Sequence, residues 1–479
     1  MKNKSSFIFV VAALVAGSSM NTVAEGVTGP SSSASPYLTP LTSGVEFSSI
    51  LTVGDSVKLK HKGNETYRMV GIPDGLGAYD NGDGTITVLM NHELRNTAGV
   101  VRNHGSKGAF VSKWQIRKRD LKVLNGEDLI EKLELIDPDQ TAISRLCSAD
   151  LPMPSAFFNS NTGKGFSEGR IFMSGEEVDA AGRAFAHIAE GRQHGTSYEL
   201  PALGKAAWEN VVASPYEQDK TIVAGLDDGN RLASKIYFYV GNKQESGNPV
   251  EMAGLTNGIS YQLLIGSHVT EATIPNGHTD QFSLVASGGT GTGLNRVEDG
   301  AWDTKNPNRF YFVTTDQFDG NSRLWSATFQ DITKPELGGE IKVLIDGAVS
   351  GPQMMDNMTV DGAGNVWIQE DVGNQVHLGK IWKFEPTTGN LTTIAQHDAE
   401  RFISGASADI DGSGNKQSDE ESSGIIEVTE MFNGVAGYDT ENSRYFLFDV
   451  QAHYSTVNGV ALDPELVEGG QLLMMKAPK

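Results

Sequence analysis

The sequence predicts an all-β protein, folded as a six-bladed β-propeller with inserted loops and a few short helices. Glycine fills 55 of the 479 positions, above the roughly 7% of an average chain, and such an excess is typical of many tight turns between short strands. Alternating apolar residues bounded by Gly, Asn and Asp are frequent, whereas helical periodicity is scarce. A recurring strand pattern predicts the number of blades.

The recurring pattern is a short run of β-branched and aromatic residues that ends in an acid. It occurs at 85–93, 170–176, 221–227, 309–316, 365–371 and 444–449. The closing acids lie on average about 71 residues apart, close to the length of a four-stranded propeller blade with its loops. Equivalent strand ends would converge at one mouth of a central channel. A β-sandwich or two stacked β-domains is the alternative architecture.

Three segments are predicted along the chain. Residues 1–24 are interpreted as a signal peptide, because Lys2 and Lys4 precede an apolar run that is too short to span a bilayer. Residues 25–45 are rich in Ser, Thr, Pro and Gly and are predicted to be a flexible N-terminal arm, and residues 46–479 a single β-propeller domain. The basic start lacks an arginine pair, which predicts Sec-type export to the periplasm or the medium. The exported protein is expected to be a monomer without a membrane span.

Charge and cysteine content exclude several function classes. The formal net charge of −22 excludes a non-specific nucleic-acid binder, because phosphate backbones would be repelled. The single cysteine, Cys147, excludes an intramolecular disulfide and a zinc site built from several thiolates. Cys147 is interpreted as a small buried hydrophobic residue.

The converging carboxylates predict a metal centre. Six or more carboxylates at one channel mouth repel one another unless cations neutralise them, and oxygen ligands select hard cations such as calcium. In each adjacent pair of acids, only one member can face the site from an extended strand. The predicted ligands are Glu93, Glu176 or Glu177, Asp227 or Asp228, Glu298 and Asp371.

Two of these segments also carry candidate catalytic groups. Asn91 and Glu93 are two residues apart, so both side chains point to one face of an extended strand. Arg296 and Glu298 have the same spacing and predict an anion clamp, in which the guanidinium binds phosphate oxygens while the carboxylate holds a metal. A surface ion pair is the alternative for Arg296 and Glu298.

A further calcium site is predicted in a loop near the C-terminal end. Asp409, Asp411 and Ser413 stand at positions 1, 3 and 5 of a calcium-loop spacing, with Gly414 at position 6 and Glu420 at position 12. No convincing helices flank this segment, so the prediction is a calcium loop inserted between strands. A polar, disordered surface loop is the alternative.

Several of these motifs together resemble one family. Asn-His-Glu at 91–93, Ser-Gly-Glu-Glu at 174–177 and Arg-Val-Glu at 296–298 resemble the PhoX-type alkaline phosphatases, as do Asp-Asn at 356–357 and the segment 366–371. The resemblance implies a six-bladed propeller with a deep cluster of iron and calcium that hydrolyses phosphoesters outside the cytoplasm. It also implies that Asn91 and Glu93 lie in the site and that Arg296 contacts phosphoryl oxygens. The metal ligands that it implies are Glu176 or Glu177, Asp227 or Asp228, and Glu298.

The chain departs from the family pattern at two positions in these motifs. Gly175 stands where the family has an iron-binding cysteine, and Val297 stands where it has proline. These differences argue against iron and leave several calcium ions as the predicted cofactor. The predicted function is an exported metal-dependent phosphoesterase acting on a small phosphoester. The alternatives are a calcium-dependent propeller hydrolase of lactones or other esters, and a non-catalytic calcium-binding propeller module.

Overall fold

The computed structural model describes residues 26–286, 289–373, 375, 377–404, 420–457 and 460–479. The predicted signal peptide lies outside the described residues, and so do Asp409, Asp411 and Ser413 of the predicted calcium loop. None of the helices in the described part of the chain is long and apolar enough to cross a membrane.

Short strands make up most of the described structure. Up to residue 150 they are β1 (Val27–Thr28), β2 (Leu38–Pro40), β3 (Glu46–Thr52), β4 (Ser56–Leu59), β5 (Thr66–Arg68), β6 (Pro73–Asp80), β7 (Thr85–His92), β8 (Phe110–Arg117), β9 (Val123–Asp128), β10 (Lys132–Glu134) and β11 (Leu146–Asp150). Up to residue 302 they are β12 (Phe158–Asn159), β13 (Lys164–Gly165), β14 (Ile171–Glu176), β15 (Ala184–Ile188), β16 (Thr196–Glu199), β17 (Trp208–Ala213), β18 (Lys220–Asp227), β19 (Ile236–Asn242), β20 (Ile259–Ile265), β21 (Thr279–Ala286) and β22 (Val297–Trp302). The last are β23 (Arg309–Thr314), β24 (Arg323–Phe329), β25 (Gly339–Asp346), β26 (Met355–Val360), β27 (Val366–Glu370), β28 (Lys380–Glu385), β29 (Asn390–His397), β30 (Glu420–Glu427), β31 (Ser443–Ala452), β32 (Thr456–Val457), β33 (Val460–Ala461) and β34 (Gly469–Pro478).

Helices are few and short, which confirms the prediction of an all-β chain with a few short helices. The α-helices of the described residues are α1 (Pro249–Met252) and α2 (Gly347–Ser350). Single 3-10 turns lie at Pro154–Ala156, Asp179–Ala181, Pro201–Leu203, Glu271–Thr273, Pro335–Leu337 and Thr429–Phe432, and a π-turn lies at Glu400–Ser404.

The strands form four blade-like sheets and one larger sheet. The four have the strand orders β5-β4-β9-β8-β7-β6, β10-β16-β15-β14-β11, β2-β29-β28-β27-β26 and β1-β3-β34-β31-β30. The larger sheet has nine strands, in the order β17-β18-β19-β20-β21-β25-β24-β23-β22, and its two edge strands lie in contact, so that it nearly closes into a barrel. Two ribbons, β12-β13 and β32-β33, complete the described strands.

The prediction of six blades is therefore wrong. Strand β21 pairs with β25, with Thr279 opposite Lys342 and Phe282 opposite Gly339, and this pairing joins two meanders into one continuous sheet. Its interior is closed by aromatic side chains, among them Phe238, which meets the rings of Phe310 and Phe329 edge-on. The acid-ended pattern locates strands, but it does not indicate which strand edges pair, and that pairing decides the number of sheets.

A ring of six strands surrounds the central axis. In order around the ring they are β6, β11, β17, β22, β26 and β30, and β30 contacts β6 again. Each of the four blade-like sheets contributes one edge strand, and the nine-stranded sheet contributes both of its edges. The six acid-ended segments are different strands: β7, β14, β18, β23, β27 and β31 each pair directly with a ring strand. The strands that were predicted to line the channel mouth are thus the second strands from the axis, outside the ring strands.

Two distant parts of the chain share one sheet. Strand β34 pairs with β3 on one side and with β31 on the other. Within the segment predicted as an N-terminal arm, β2 pairs with β29, and the side chain of Tyr37 is buried.

Candidate functional site

Five of the six ring strands begin with a β-bulge. In β6, β11, β17, β22 and β26 the register with the next strand shifts within the first few residues. A bulge sets two residues opposite one, so that neighbouring side chains can face the same side. The bulge of β11 contains Cys147 and Ser148, and that of β22 contains Glu298 and Asp299. The bulges therefore direct polar side chains into the ring. With strict alternation, some of these side chains would point away from it.

The chain enters four of these strands through a residue in the left-handed backbone region. These residues are Ile72 (φ 49°), Arg145 (φ 47°), Arg296 (φ 56°) and Met354 (φ 45°). The region is unfavourable for residues with a Cβ atom and persists only where the surrounding structure enforces it, often at functional sites. Each of the four stands two positions before an acid or thiol of the ring. The strained entries therefore all support one end of the ring.

Acidic side chains converge at this end, where the ring strands start. We call the group the acid cluster; it consists of Asp74, Glu93, Cys147, Glu177, Glu209, Asp228, Glu298, Asp356, Asp371 and Glu421. Burial raises the pKa of Glu298 well above its usual range, and the carboxylates of Asp228 and Asp356 raise it further. Burial also raises the pKa of Glu177 to about 8, although the guanidinium of Arg145 opposes this shift. Like charges in so small a volume disfavour one another's ionised forms.

Several oxygen atoms at this end of the ring are buried without a hydrogen-bond donor. Asp74 Oδ1, Glu298 Oε1, Asn91 Oδ1 and Asn357 Oδ1 accept no hydrogen bond from any described residue. The amide nitrogens of the two asparagines do have partners, since Asn91 Nδ2 donates to the Cys147 carbonyl (2.7 Å) and Asn357 Nδ2 to Ser148 Oγ (3.0 Å). A buried oxygen without a donor is costly. A cation would compensate these atoms directly.

The donor atoms form three overlapping sets that fit metal ions. The sets are Glu209–Glu298–Asp356, Asp74–Cys147–Glu209 and Glu93–Cys147–Glu177, and within each the ligand atoms lie within 4.8 Å of one another. The first offers only carboxylate oxygens, which suit hard cations, whereas the other two include a thiol, which suits softer ones. The sets share Glu209 and Cys147, so each of these two residues could contribute to two neighbouring sites.

Cys147 lies inside the acid cluster, which the sequence did not predict. Its thiol is buried and donates to Glu177 Oε2 at 3.1 Å. Burial raises the thiol pKa well above its usual value, and neighbouring carboxylates, first Glu93 and then Glu209, raise it further. At position 175, by contrast, a Cβ atom would stand 2.3 Å from Trp208 Cβ. Glycine is required there, and the thiol of this site comes from β11 instead.

Two arginines contact the cluster from its open side. Arg296 binds Asp228 with two hydrogen bonds, from Nε (2.9 Å) and Nη2 (2.8 Å), and Nη2 lies 3.2 Å from Glu298 Oε1. Arg145 donates from Nε to Glu93 Oε1 at 2.6 Å and forms an ion pair with Glu177. About a third of each arginine side chain is exposed, 33% and 32%. Both guanidiniums therefore border the cluster and the solvent at once.

A cavity of about 290 Å³ adjoins the cluster on the Arg145 side. Glu93 and Arg145 form its inner wall, and Arg95, His453 and Glu468 line the outer part. His453 Nδ1 lies 2.7 Å from Glu468 Oε2. The cavity is at the lower end of the size range of small-molecule sites, and two cationic side chains line it.

The structure separates the predicted ligands into two groups. Glu93, Glu177, Asp228, Glu298 and Asp371 belong to the acid cluster, with Asn91 and Arg296 beside it. Glu176 and Asp227 do not.

Glu176 and Asp227 are held by other partners. Glu176 accepts two hydrogen bonds from the Arg183 guanidinium, at 2.6 and 2.8 Å. Asp227 accepts from the backbone N–H groups of Ala207 and Lys235. Glu420 of the predicted calcium loop is buried at the start of β30.

Four cluster acids were missing from the predicted ligands: Asp74, Glu209, Asp356 and Glu421. All four are the second residue of a ring strand, and three of them follow an apolar first residue, namely Pro73, Trp208 and Met355. An apolar residue followed by an acid at a strand start is a signal that could have identified them. The acid-ended pattern does not include this signal, because it selects strands that end, rather than begin, with an acid.

Comparison with known proteins gives a match at the level of fold. No protein-family model matches the sequence, and no curated protein matches it. The fold is similar to that of Pseudomonas fluorescens PhoX in complex with vanadate, a transition state analogue, with a TM-score of 0.64 and 11% identity over 94% of this chain and 98% of PhoX. A sialidase of Trypanosoma rangeli (TM-score 0.40, 9% identity, 91% of this chain and 59% of that one) is a weaker match. So is a putative 6-phosphogluconolactonase of Bacteroides uniformis (0.30, 10%, 66% and 84%).

Proposed function

We propose that this protein is an exported, metal-dependent phosphoesterase of the PhoX type, acting on small phosphomonoesters. The observation that carries the proposal is the acid cluster, in which buried carboxylate oxygens lack donors and two partly exposed arginines stand at the rim. A fold shared with a phosphatase whose structure contains vanadate supports it.

The cluster residues divide by the metal they would hold. Glu209, Glu298 and Asp356 offer three carboxylates and suit calcium. Glu93, Cys147 and Glu177 offer two carboxylates and a thiolate and suit iron. The position of Cys147 removes the argument against iron that Gly175 had suggested. When bound, such ions act as Lewis acids toward phosphoryl oxygens.

The arginines supply the charge that phosphoryl transfer requires. In phosphomonoester hydrolysis, water attacks phosphorus, the bond from phosphorus to the ester oxygen breaks, and the alcohol leaves with a proton. Negative charge is spread over the equatorial oxygens in the transition state. Arg296 uses Nε and Nη2 on Asp228, while Nη1 donates no hydrogen bond to the described residues. Asp228 therefore orients the guanidinium, and Nη1 can contact a phosphoryl oxygen.

The cavity beside Arg145 would take the leaving group. Its volume of about 290 Å³ fits a small alcohol better than a polymer, and Arg95 and Arg145 in its wall would attract anionic substrates. This favours small, negatively charged phosphomonoesters over bulky diesters.

The test is a metal-depletion and reconstitution assay of the full chain. Protein purified without added metal is analysed for calcium and iron, dialysed against a chelator, and assayed on para-nitrophenyl phosphate, its diester analogue and a lactone. We expect monoesterase activity that disappears with the chelator and returns only with added cations. Hydrolysis of the lactone alone would favour the lactone or ester hydrolase, and cation binding without any hydrolysis would favour the non-catalytic module. Either outcome overturns the proposal.

A further inference from the structure

We propose a second metal site on the nine-stranded sheet, formed by His268, His278 and Asp280 and selective for zinc or a similar first-row divalent cation. The three side chains offer ligand atoms within 4.8 Å of one another. His268 Nε2 and His278 Nε2 each lie 3.6 Å from Asp280 Oδ2. This site is separate from the acid cluster, whose residues are on the ring strands and the segments that adjoin them.

The tautomer of His268 follows from its hydrogen bonds. Thr273 Oγ1 donates its one proton to the Thr270 carbonyl at 2.9 Å. At 2.8 Å from His268 Nδ1, the same hydroxyl can therefore only accept, so Nδ1 carries the proton. The lone pair of His268 is then on Nε2, which faces Asp280. A ligating histidine is typically oriented by such a bond from its other ring nitrogen.

The atoms that face one another are not joined by a hydrogen bond. A separation of 3.6 Å is too long for a hydrogen bond, and His278 Nε2 is buried without a hydrogen-bond partner among the described residues. Two imidazole nitrogens thus point at one carboxylate oxygen. A cation between them would satisfy all three, and ligands around a tetrahedral zinc are separated by roughly 3.3 Å when the bonds are near 2.0 Å. The observed 3.6 Å requires little adjustment.

The backbone around these residues is held in place. Asp280 Oδ1 accepts from the Gln281 N–H at 2.7 Å. Gly266 (φ 48°) packs so closely on this carboxylate that a Cβ atom would stand 2.2 Å from Asp280 Oδ2. The His278 carbonyl accepts from Val343 N at 3.0 Å, and the His268 carbonyl from Thr292 Oγ1 at 2.8 Å. The ligands are therefore preorganised before a metal binds.

The choice of metal follows from the donor set. Two neutral imidazoles and one carboxylate suit zinc and its first-row neighbours, whereas calcium prefers oxygen ligands throughout. With three protein ligands, a tetrahedral ion keeps one position for water or an external ligand. The ion would fasten the loop 266–278 to β21, the strand that joins the two meanders into one sheet.

The test is a zinc titration of the full chain saturated with calcium, in wild type, His278→Gln and the control variant His194→Gln. His194 is exposed and contacts only the Gly191 carbonyl among the hydrogen bonds of its ring. We expect His278→Gln to bind one zinc equivalent fewer than wild type, and His194→Gln to bind the same number as wild type. Substitution with cobalt should give the visible bands of a tetrahedral site, absent in His278→Gln.

A second variant tests the hydrogen-bond argument without removing a ligand. Thr273→Val removes the acceptor of His268 Nδ1 and should weaken zinc at this site by about 10- to 100-fold. Circular dichroism and thermal denaturation in the absence of zinc establish that the variants are folded. Equal zinc stoichiometry and affinity in wild type and His278→Gln would overturn the proposal.

Discussion

Glu298 and Asp299 are neighbours in β22, yet their carboxylates have opposite surroundings within the strand ring. Asp299 Oδ1 accepts from Asn210 Nδ2 and from Gly300 N, both at 2.7 Å, and Oδ2 accepts from Met358 N at 3.1 Å. Burial raises the pKa of Asp299 only to about 6, because these donors oppose the shift. Glu298 Oε1 has no hydrogen bond; the carboxylates of Asp228 and Asp356 are its neighbours, and Arg296 Nη2 lies 3.2 Å away.

The difference separates a structural acid from a functional one. Asp299 lines a cavity of about 210 Å³ toward the far ends of the ring strands, together with Trp302 and Met358, and the protein itself satisfies its charge. Glu298 belongs to the acid cluster, whose charge the guanidiniums of Arg145 and Arg296 compensate only in part. Burial alone does not identify a metal ligand, whereas burial without donors, among like charges, does.

The largest expected effect comes from exchanging the two acids for amides. Glu298→Gln should lower phosphomonoesterase turnover by at least roughly 1,000-fold, because it removes a proposed metal ligand. In chelated protein the same change should raise the Tm, because the amide is neutral without the proton uptake that the raised pKa of Glu298 imposes on folding. Asp299→Asn should lower that Tm, because the amide places an N–H against the Met358 N–H. Steady-state kinetics and thermal denaturation measure both; Tm changes of the same sign in the two variants would contradict the comparison.

Arg296→Lys tests whether the guanidinium of Arg296, beside the acid cluster, contacts substrate. Lysine keeps the charge but loses the two-pronged contact with Asp228. Turnover should fall on the order of 100-fold, as for loss of one transition-state donor. The Tm should change only a little. Arg170→Lys, at the surface pair with Glu190, is the matched control. Unchanged turnover in Arg296→Lys would reduce Arg296 to a salt-bridge residue.

Cys147→Ser tests whether the thiol of the acid cluster, a soft ligand, binds iron separately from the carboxylates, which are hard ligands. The hydroxyl keeps the size of the side chain but is a poor ligand for iron, so we expect iron retention to weaken at least about tenfold, or by about 1.4 kcal/mol, while calcium is retained. Metal analysis after dialysis measures both ions. Equal iron content in parent and variant would show that the thiol is not a ligand.

The smallest expected effect is that of Asp150, which lies at the end of the strand ring opposite the acid cluster. Burial raises the pKa of Asp150 to about 8 from an ordinary 3.8, although a hydrogen bond from Ala213 N opposes the shift. Between these values the folded protein holds a proton that the unfolded chain releases, so this residue makes stability fall as pH rises. Asp150→Asn keeps the acceptor without the charge. Its Tm should exceed that of the parent by a few degrees at pH 8 and by less at pH 5; a pH-independent difference would contradict the assigned pKa.

The sequence predicted the strand-rich class because strand alternation and turn glycines are local signals. It also located Glu93, Glu298 and Arg296, since their spacing places two functional groups on one face of a strand. It could not predict the β21–β25 pairing, which depends on which edges meet in space. Nor could it identify Asp74, Glu209 and Cys147, because their inward direction depends on bulges that break the alternation on which the prediction relied.

The pairing of β34 between β3 and β31 has a consequence for the order of assembly. It joins residues 46–52 to residues 469–478, and Gln451 Nε2 reaches Asp74 Oδ2 at 3.3 Å across 377 positions of sequence. Contacts of such high sequence separation close late, because the entropy of the intervening loop must be lost first. We therefore expect the wall between Asp74 and Glu421 to be the last part of the acid cluster to form. Metal ions present during folding would meet a half-open cluster.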